Sequence, residues 1–205
     1  MASLTFLLTA LVLAMTPGPG MAYVVARTVA GGRSEGLASC LGTGIGGMFH
    51  VAAAALGLSL LIAQSAVAFS LVKYLGAAYM VYLGIRLLLR KDQQFKVERV
   101  ASQGARRALL EGIAVEALNV KTALFFLAFL PQFVVPTEPV AAQLVLLGTI
   151  CVMFNTFVDV VAVFAANRLL QSSPARATRA KLMTRASGGT MVGLGVALAW
   201  VQREV

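Results

Sequence analysis

The sequence predicts an all-α membrane protein of six transmembrane helices, built as a 3+3 inverted repeat with the first span broken at Pro17–Gly20. Three observations predict it: long apolar runs, a one-sided distribution of basic residues, and ordered matches between the two halves of the chain. Of the 205 residues, 59% are hydrophobic and 12% charged, and the mean hydropathy is +0.85, whereas soluble domains are about 45–50% apolar. This excludes a soluble domain, and it excludes disorder, which needs low hydrophobicity and dense charge. Two cysteines are too few for a disulfide scaffold. Unbroken apolar runs, rather than residues alternating in polarity, favour helices over a transmembrane barrel.

Runs bounded by charges and turn residues place the spans at 4–26, 37–62, 67–89, 109–134, 140–167 and 186–202, each near the length a bilayer requires. The formal charge of +9 could suggest nucleic acid, but its placement argues for topology instead. Of the 17 basic residues, 14 fall in three connections: 27–33, 86–107 and 168–185. The alternate connections, at Gln64-Ser65 and Pro136–Pro139, carry none. The basic connections are therefore expected in the cytoplasm and both termini outside, with no nucleic-acid partner and with the bilayer as the surrounding medium. The first span lacks a basic leader and runs into Pro17-Gly18-Pro19-Gly20, so it is expected to be retained rather than cleaved. No composition shift divides the chain, which predicts one domain over 1–205 with halves at about 1–90 and 106–205.

The repeat is weak but ordered. Thr16-Pro17-Gly18 precedes Asn119-Val120-Lys121 by 103 residues, Leu41-Gly42-Thr43 precedes Leu147-Gly148-Thr149 by 106, and Met48-Phe49-His50 precedes Met153-Phe154-Asn155 by 105. Three spans per half is an odd number, so the second half enters the bilayer in the opposite direction. Transporters built this way place cargo near the midplane, where interrupted helices expose backbone groups. Pro17 and Pro19 remove amide donors and disfavour helix at the preceding residues, while Gly18 and Gly20 add conformational freedom. The alternatives are a passive bend, or a half-helix starting near Pro19 that points amides at an anion such as a carboxylate.

Ionisable groups inside spans are costly and so are candidate functional residues. Lys121 lies near the middle of span four and needs a partner, for which Asp159 in span five is the carboxylate to expect. Asp159 is also a candidate proton carrier, as are Glu116, one helical turn before Asn119, and the sole histidine, His50, a residue type that exchanges protons near neutral pH. Each has a packing role as its alternative: a static ion pair for Asp159, a hydrogen-bonded core position for His50. Glu111, beside Arg107, reads as a solvated end charge. Tyr79 and Tyr82 either orient a substrate or pack. No second histidine or cysteine stands at ligand spacing, so no metal and no cofactor are expected. Small-residue faces, such as Gly42, Gly44, Gly46 and Gly47, allow close helix packing and a homodimer.

Several segments together resemble one family. These are Thr16-Pro17-Gly18-Pro19-Gly20, the Gly31-Gly32-Arg33-Ser34-Glu35-Gly36-Leu37 loop, Lys73-Tyr74-Leu75-Gly76-Ala77-Ala78-Tyr79, and Asn119-Val120-Lys121 with the downstream Phe125–Phe133 run. In this order they look like the signatures of the LysE/RhtB amino-acid exporters. The resemblance implies a non-enzymatic exporter of amino acids or close derivatives in a bacterial inner membrane, using the proton gradient as an antiporter, with small zwitterions and protons as partners. It carries Asn119 and Lys121 over as site residues. Where the family has Asn-Pro-Lys this chain has Val120, which puts a break in span four in doubt. Two other classes compete. A non-transporting membrane scaffold would not need Lys121. A thiol-redox electron carrier would need Cys40 and Cys151, whose expected depths differ by roughly 18 Å, too far for a disulfide.

Overall fold

A computed structural model describes residues 3–58, 66–89, 101–135, 137–169, 185, 188–196 and 200. The Gln64-Ser65 connection and most of the basic loops at 90–100 and 170–184 lie outside the described residues, as do parts of span six. Among the described residues the fold is all-helical, without strands. By length and composition two helical stretches could cross a membrane, Pro19–Gly57, which is interrupted at Gly31–Gly32, and Val140–Ala166. A third qualifies if Ala105–Ala117 and Val120–Phe133, bent by 41°, count as one broken span.

Helix α1 (Leu4–Met15) is capped by Ser3, whose hydroxyl accepts from the Phe6 amide. Its 12 residues extend about 18 Å, roughly half a hydrocarbon core. Helix α2 (Pro19–Ala53) is not a single rod, because Gly31 leaves helical geometry and Gly32 adopts φ +72°, a conformation open to glycine at little cost. The chain reverses there. A methyl group placed on Gly20 would lie 3.8 Å from Thr43 Cγ2, although a straight helix would separate these positions by about 35 Å. The two arms of α2 are therefore antiparallel neighbours. Helix α3 (Ala66–Leu89) follows, then α4 (Ala105–Ala117), α5 (Val120–Leu124, continued by wider and tighter turns to Phe133) and α6 (Val140–Leu169).

Small residues set the closest packing, as membrane helices require in the absence of a solvophobic drive between them. A Cβ on Gly46 would meet the Ile113 carbonyl at 2.6 Å, and one on Gly112 the Ser39 carbonyl at 2.9 Å, so the second arm of α2 lies directly on α4. Beyond this seam the core contains a group of phenylalanines among Ala, Leu and Val side chains. Phe125 and Phe129 stack at 5.3 Å, and Phe6 meets Phe133 edge-on at 5.2 Å, joining α1 to the α5 extension.

The turn of α2 is fixed by charge. Arg27, only 4% exposed, donates to Glu111 Oε2 at 3.0 Å and Gln103 Oε1 at 2.9 Å, and faces Glu35 Oε2 at 3.5 Å. Glu35 Oε1 accepts from Ser102 Oγ and from the amides of Gln103 and Gly104 at 2.6–2.9 Å. Glu111 does pair with Arg107, at 2.8 Å, but it also accepts from Arg27 and from the Tyr23 hydroxyl. It is a junction between α2 and α4, which corrects the reading of it as a solvated end charge.

Candidate functional site

Two helix interruptions meet at the centre of the described bundle. The first follows α1: Thr16 is extended (ψ 112°), Gly18 is extended (φ −137°), and α2 restarts with Pro19 in its first turn, where a missing amide costs nothing. The second falls between α4 and α5. It occurs without the family's proline, because side chains take over the proline's task. Asn119 is extended (φ −74°, ψ 104°), and its Oδ1 accepts from the Lys121 amide at 3.1 Å, capping α5. Its Nδ2 donates to Glu116 Oε2 at 2.9 Å, while Thr122 Oγ1 donates to Glu116 Oε1 at 2.6 Å. His50 Nε2 donates to the Glu116 carbonyl at 2.8 Å, a second donor to an oxygen that already accepts from the Asn119 amide at 2.9 Å.

The two breaks are tied together by Lys121. Its ammonium donates to the Thr16 carbonyl at 2.8 Å and the Leu13 carbonyl at 3.4 Å, at the C-terminal end of α1, where a cation is favoured by the helix dipole. The expected Lys121–Asp159 pair is therefore corrected. Among the described residues no ion pair joins them; Asp159 instead accepts from Thr43 Oγ1 at 3.1 Å, and backbone carbonyls satisfy the lysine. A lysine buried beside a helix end does not require a carboxylate partner, which spacing in sequence could not show.

Lys121 and Asp159 nevertheless border one cavity of about 20 Å³, room for a single water. The first break contributes Ala14, Thr16, Gly20 and Met21; the second contributes Glu116, Asn119, Lys121 and Thr122. Thr43 and Gly47 on the second arm of α2, with Val152, Asn155, Thr156 and Asp159 on α6, complete its walls. The structure thus brings together Gly20, Asn119, Lys121, Glu116 and Asp159. Pro17, Gly18 and Pro19 shape the first break, and Gly18 backs onto the lysine: a methyl there would lie 3.1 Å from Lys121 Nζ. His50 stands behind the cavity wall through its bond to Glu116. Tyr79 does not border the cavity; it is 44% exposed and packs on Tyr82 at 5.9 Å.

Sequence reasoning missed Thr43, Thr122, Asn155 and Thr156 as lining residues. Thr43 and Asn155 lie in triplets of the internal repeat, and Thr122 lies one turn after Asn119, so position held a signal that charge alone did not. Among the described residues no group of three His, Cys, Asp or Glu side chains could hold a metal ion. Cys40 and Cys151 are both buried and unbridged, in separate packing clusters.

A buried polar cavity between two interrupted helices, inside an otherwise apolar helical protein, is the kind of place where membrane transporters hold their cargo. The chain belongs to the LysE type translocator family, whose profile matches residues 11–202. It is 30% identical over 200 residues to an uncharacterized membrane protein of Vibrio cholerae, covering 96% of this chain and 95% of that one. A homoserine/homoserine lactone efflux protein of Salmonella typhi is 30% identical over 154 residues, 75% of this chain and 74% of the relative. A leucine efflux protein of Salmonella choleraesuis is 33% identical over 140 residues, 66% of this chain and 64% of the relative. No solved structure gives a match. The family's members are transporters rather than enzymes, which is the coarse class the sequence predicts.

Proposed function

We propose that this protein is a secondary exporter of amino acids or close derivatives, working by alternating access around the cavity between the two breaks. The observation that carries the reading is the bond from Lys121 to the Thr16 carbonyl, which joins an intramembrane charge to an interrupted backbone from the other half of the chain. The efflux activity in the names of the Salmonella relatives supports it. In this reading the chain is a single domain of six spans in a 3+3 inverted repeat, with both termini outside a bacterial inner membrane. A homodimer is compatible with its small-residue faces.

The cargo's carboxylate is held by the Lys121 ammonium and the amides of Gly20 and Met21, which lie in the first turn of α2 and lack intrahelical acceptors, while Asn119 bonds its polar head. Asp159 and Glu116, the carboxylates bordering the cavity, exchange the coupling proton, with His50 acting behind Glu116. Because the cavity holds about one water in this conformer, cargo enters only when the bundle opens. Proton and cargo must therefore differ in affinity between the two open states.

Vesicles reconstituted with the purified protein and preloaded with labelled amino acids test this directly. Release of at least one amino acid, slowed when the pH gradient is collapsed, is expected. Release insensitive to the gradient would remove the proton coupling, and no release of any amino acid would remove the exporter reading.

A further inference from the structure

Glycines alternate with prolines through the first break, and two of them back onto charged side chains from the second. A methyl on Gly18 would lie 3.1 Å from Lys121 Nζ, and one on Gly20 would lie 2.5 Å from Glu116 Oε2. The two ends of the broken first helix are thus filled by opposite charges five residues apart on the broken α4–α5 segment. An ammonium closes the carbonyl end, and a carboxylate, itself held by Asn119 and Thr122, lies beside Gly20 at the start of α2. These are the two kinds of charged group a free amino acid carries, and the remaining space of about 20 Å³ has room for a water but not for an amino acid. Cargo can reach the backbone only by displacing a side chain.

We propose that the carbonyls of Leu13 and Thr16 are the cargo's ammonium seat, and that Lys121 is the tethered occupant that yields it. The inference deepens the exporter reading and rests on it for the identity of the cargo. The exchange conserves charge pairing. The incoming ammonium takes the two carbonyls, and the displaced Lys121 ammonium meets the cargo's carboxylate, so no charge is left alone in a low-dielectric interior. An amine without a carboxylate would evict Lys121 toward Glu116 and Asp159, whose oxygens are already engaged by Asn119, Thr122 and Thr43. A carboxylate without an amine would draw Lys121 away and take from the Thr16 carbonyl the donor it has at 2.8 Å, while the Leu13 carbonyl keeps the Thr16 amide. The device therefore selects zwitterions over either half of one, and it requires N–H donors on the cargo nitrogen, not merely positive charge.

Thermal unfolding of the purified protein in detergent, with n-butylammonium, tetramethylammonium or butyrate as probes, separates these requirements. In the wild type none of the three stabilises the protein. In Lys121→Ala the seat is vacant, and n-butylammonium is expected to raise the melting temperature with an apparent affinity about tenfold or more above that for the wild type. Tetramethylammonium, which has no N–H, and butyrate should do nothing. Equal stabilisation of both proteins by n-butylammonium, equal action of tetramethylammonium on the variant, or no response at all would overturn the proposal.

If Lys121→Ala does not purify as a folded species, the wild type supplies the second measurement. Inhibition of efflux should survive N-methylation of the exported amino acid and fall about tenfold or more on N-acetylation. Equal inhibition by both derivatives would overturn the seat while leaving export intact. Conversely, a vesicle assay without export, combined with n-butylammonium binding by Lys121→Ala, would remove the exporter reading and leave the seat.

Discussion

Two groups of buried charges hold this protein together, and they are satisfied in opposite ways. At the turn of α2, Arg27 faces both Glu35 and Glu111, and residues 101–104 bond to Arg27 and to Glu35 Oε1. At the cavity, Lys121 answers carbonyls, Glu116 answers Asn119 and Thr122, and Asp159 answers Thr43. Charges paired with each other form a fixed joint, because removing one strands the other. Charges held by neutral dipoles can be released to a ligand that offers a full opposite charge. Both arrangements solve the problem of burying charge, but only the second leaves the charges open to a ligand of opposite sign.

That contrast can be broken at either end. The largest effect is expected from Lys121→Ala, which removes the link between the two breaks: efflux from preloaded vesicles should fall by about 30-fold or more, the equivalent of the roughly 2–5 kcal/mol lost when a buried charge loses its partner. The variant should still be purified as a folded monodisperse species. Arg27→Ala should act the other way round, lowering stability by about 3–5 kcal/mol through the stranded carboxylates, measured by denaturant unfolding, with any loss of transport following the loss of folded protein. In a double-mutant cycle, Arg27→Leu with Glu35→Leu should cost much less than the sum of the singles. Gly20→Ala drives a methyl into Glu116 Oε2 and should cost about 1–3 kcal/mol as an overpacked contact, with weakened efflux. The smallest effect belongs to Val120→Pro. Val120 is the first residue of α5, and Asn119 before it already has ψ 104°, the conformation a following proline demands. Stability should change by less than about 1 kcal/mol, and efflux should be retained.

Much of this was legible from residue order. Pro17 and Pro19 announced the first break because their missing amides act locally, and Lys121 announced itself because a charge among apolar residues has no cheap explanation. The second break was harder to read, since Val120 carries no signal and the interruption depends on Asn119, Glu116 and Thr122 bonding across a turn. The Lys121 partner was misassigned to Asp159 for a related reason: a carboxylate stands out in a sequence, whereas backbone carbonyls at a helix end are present everywhere and become acceptors only where the helix stops. The buried Arg27–Glu35 contact depended on the reversal at Gly31–Gly32, which brings residues of the basic connection inside the fold. Tyr79 had the chemistry of a cargo contact, but the structure places it away from the cavity.

The central claim is that cargo occupies the space where the two breaks meet. Cysteine protection measures this most directly. In a Cys40→Ser, Cys151→Ser background, Thr156→Cys on the cavity wall and Tyr79→Cys outside it are each labelled with a small methanethiosulfonate, with and without the exported amino acid. The account predicts that cargo slows labelling at position 156 and leaves position 79 unchanged. Protection at position 79 with none at position 156 would contradict it.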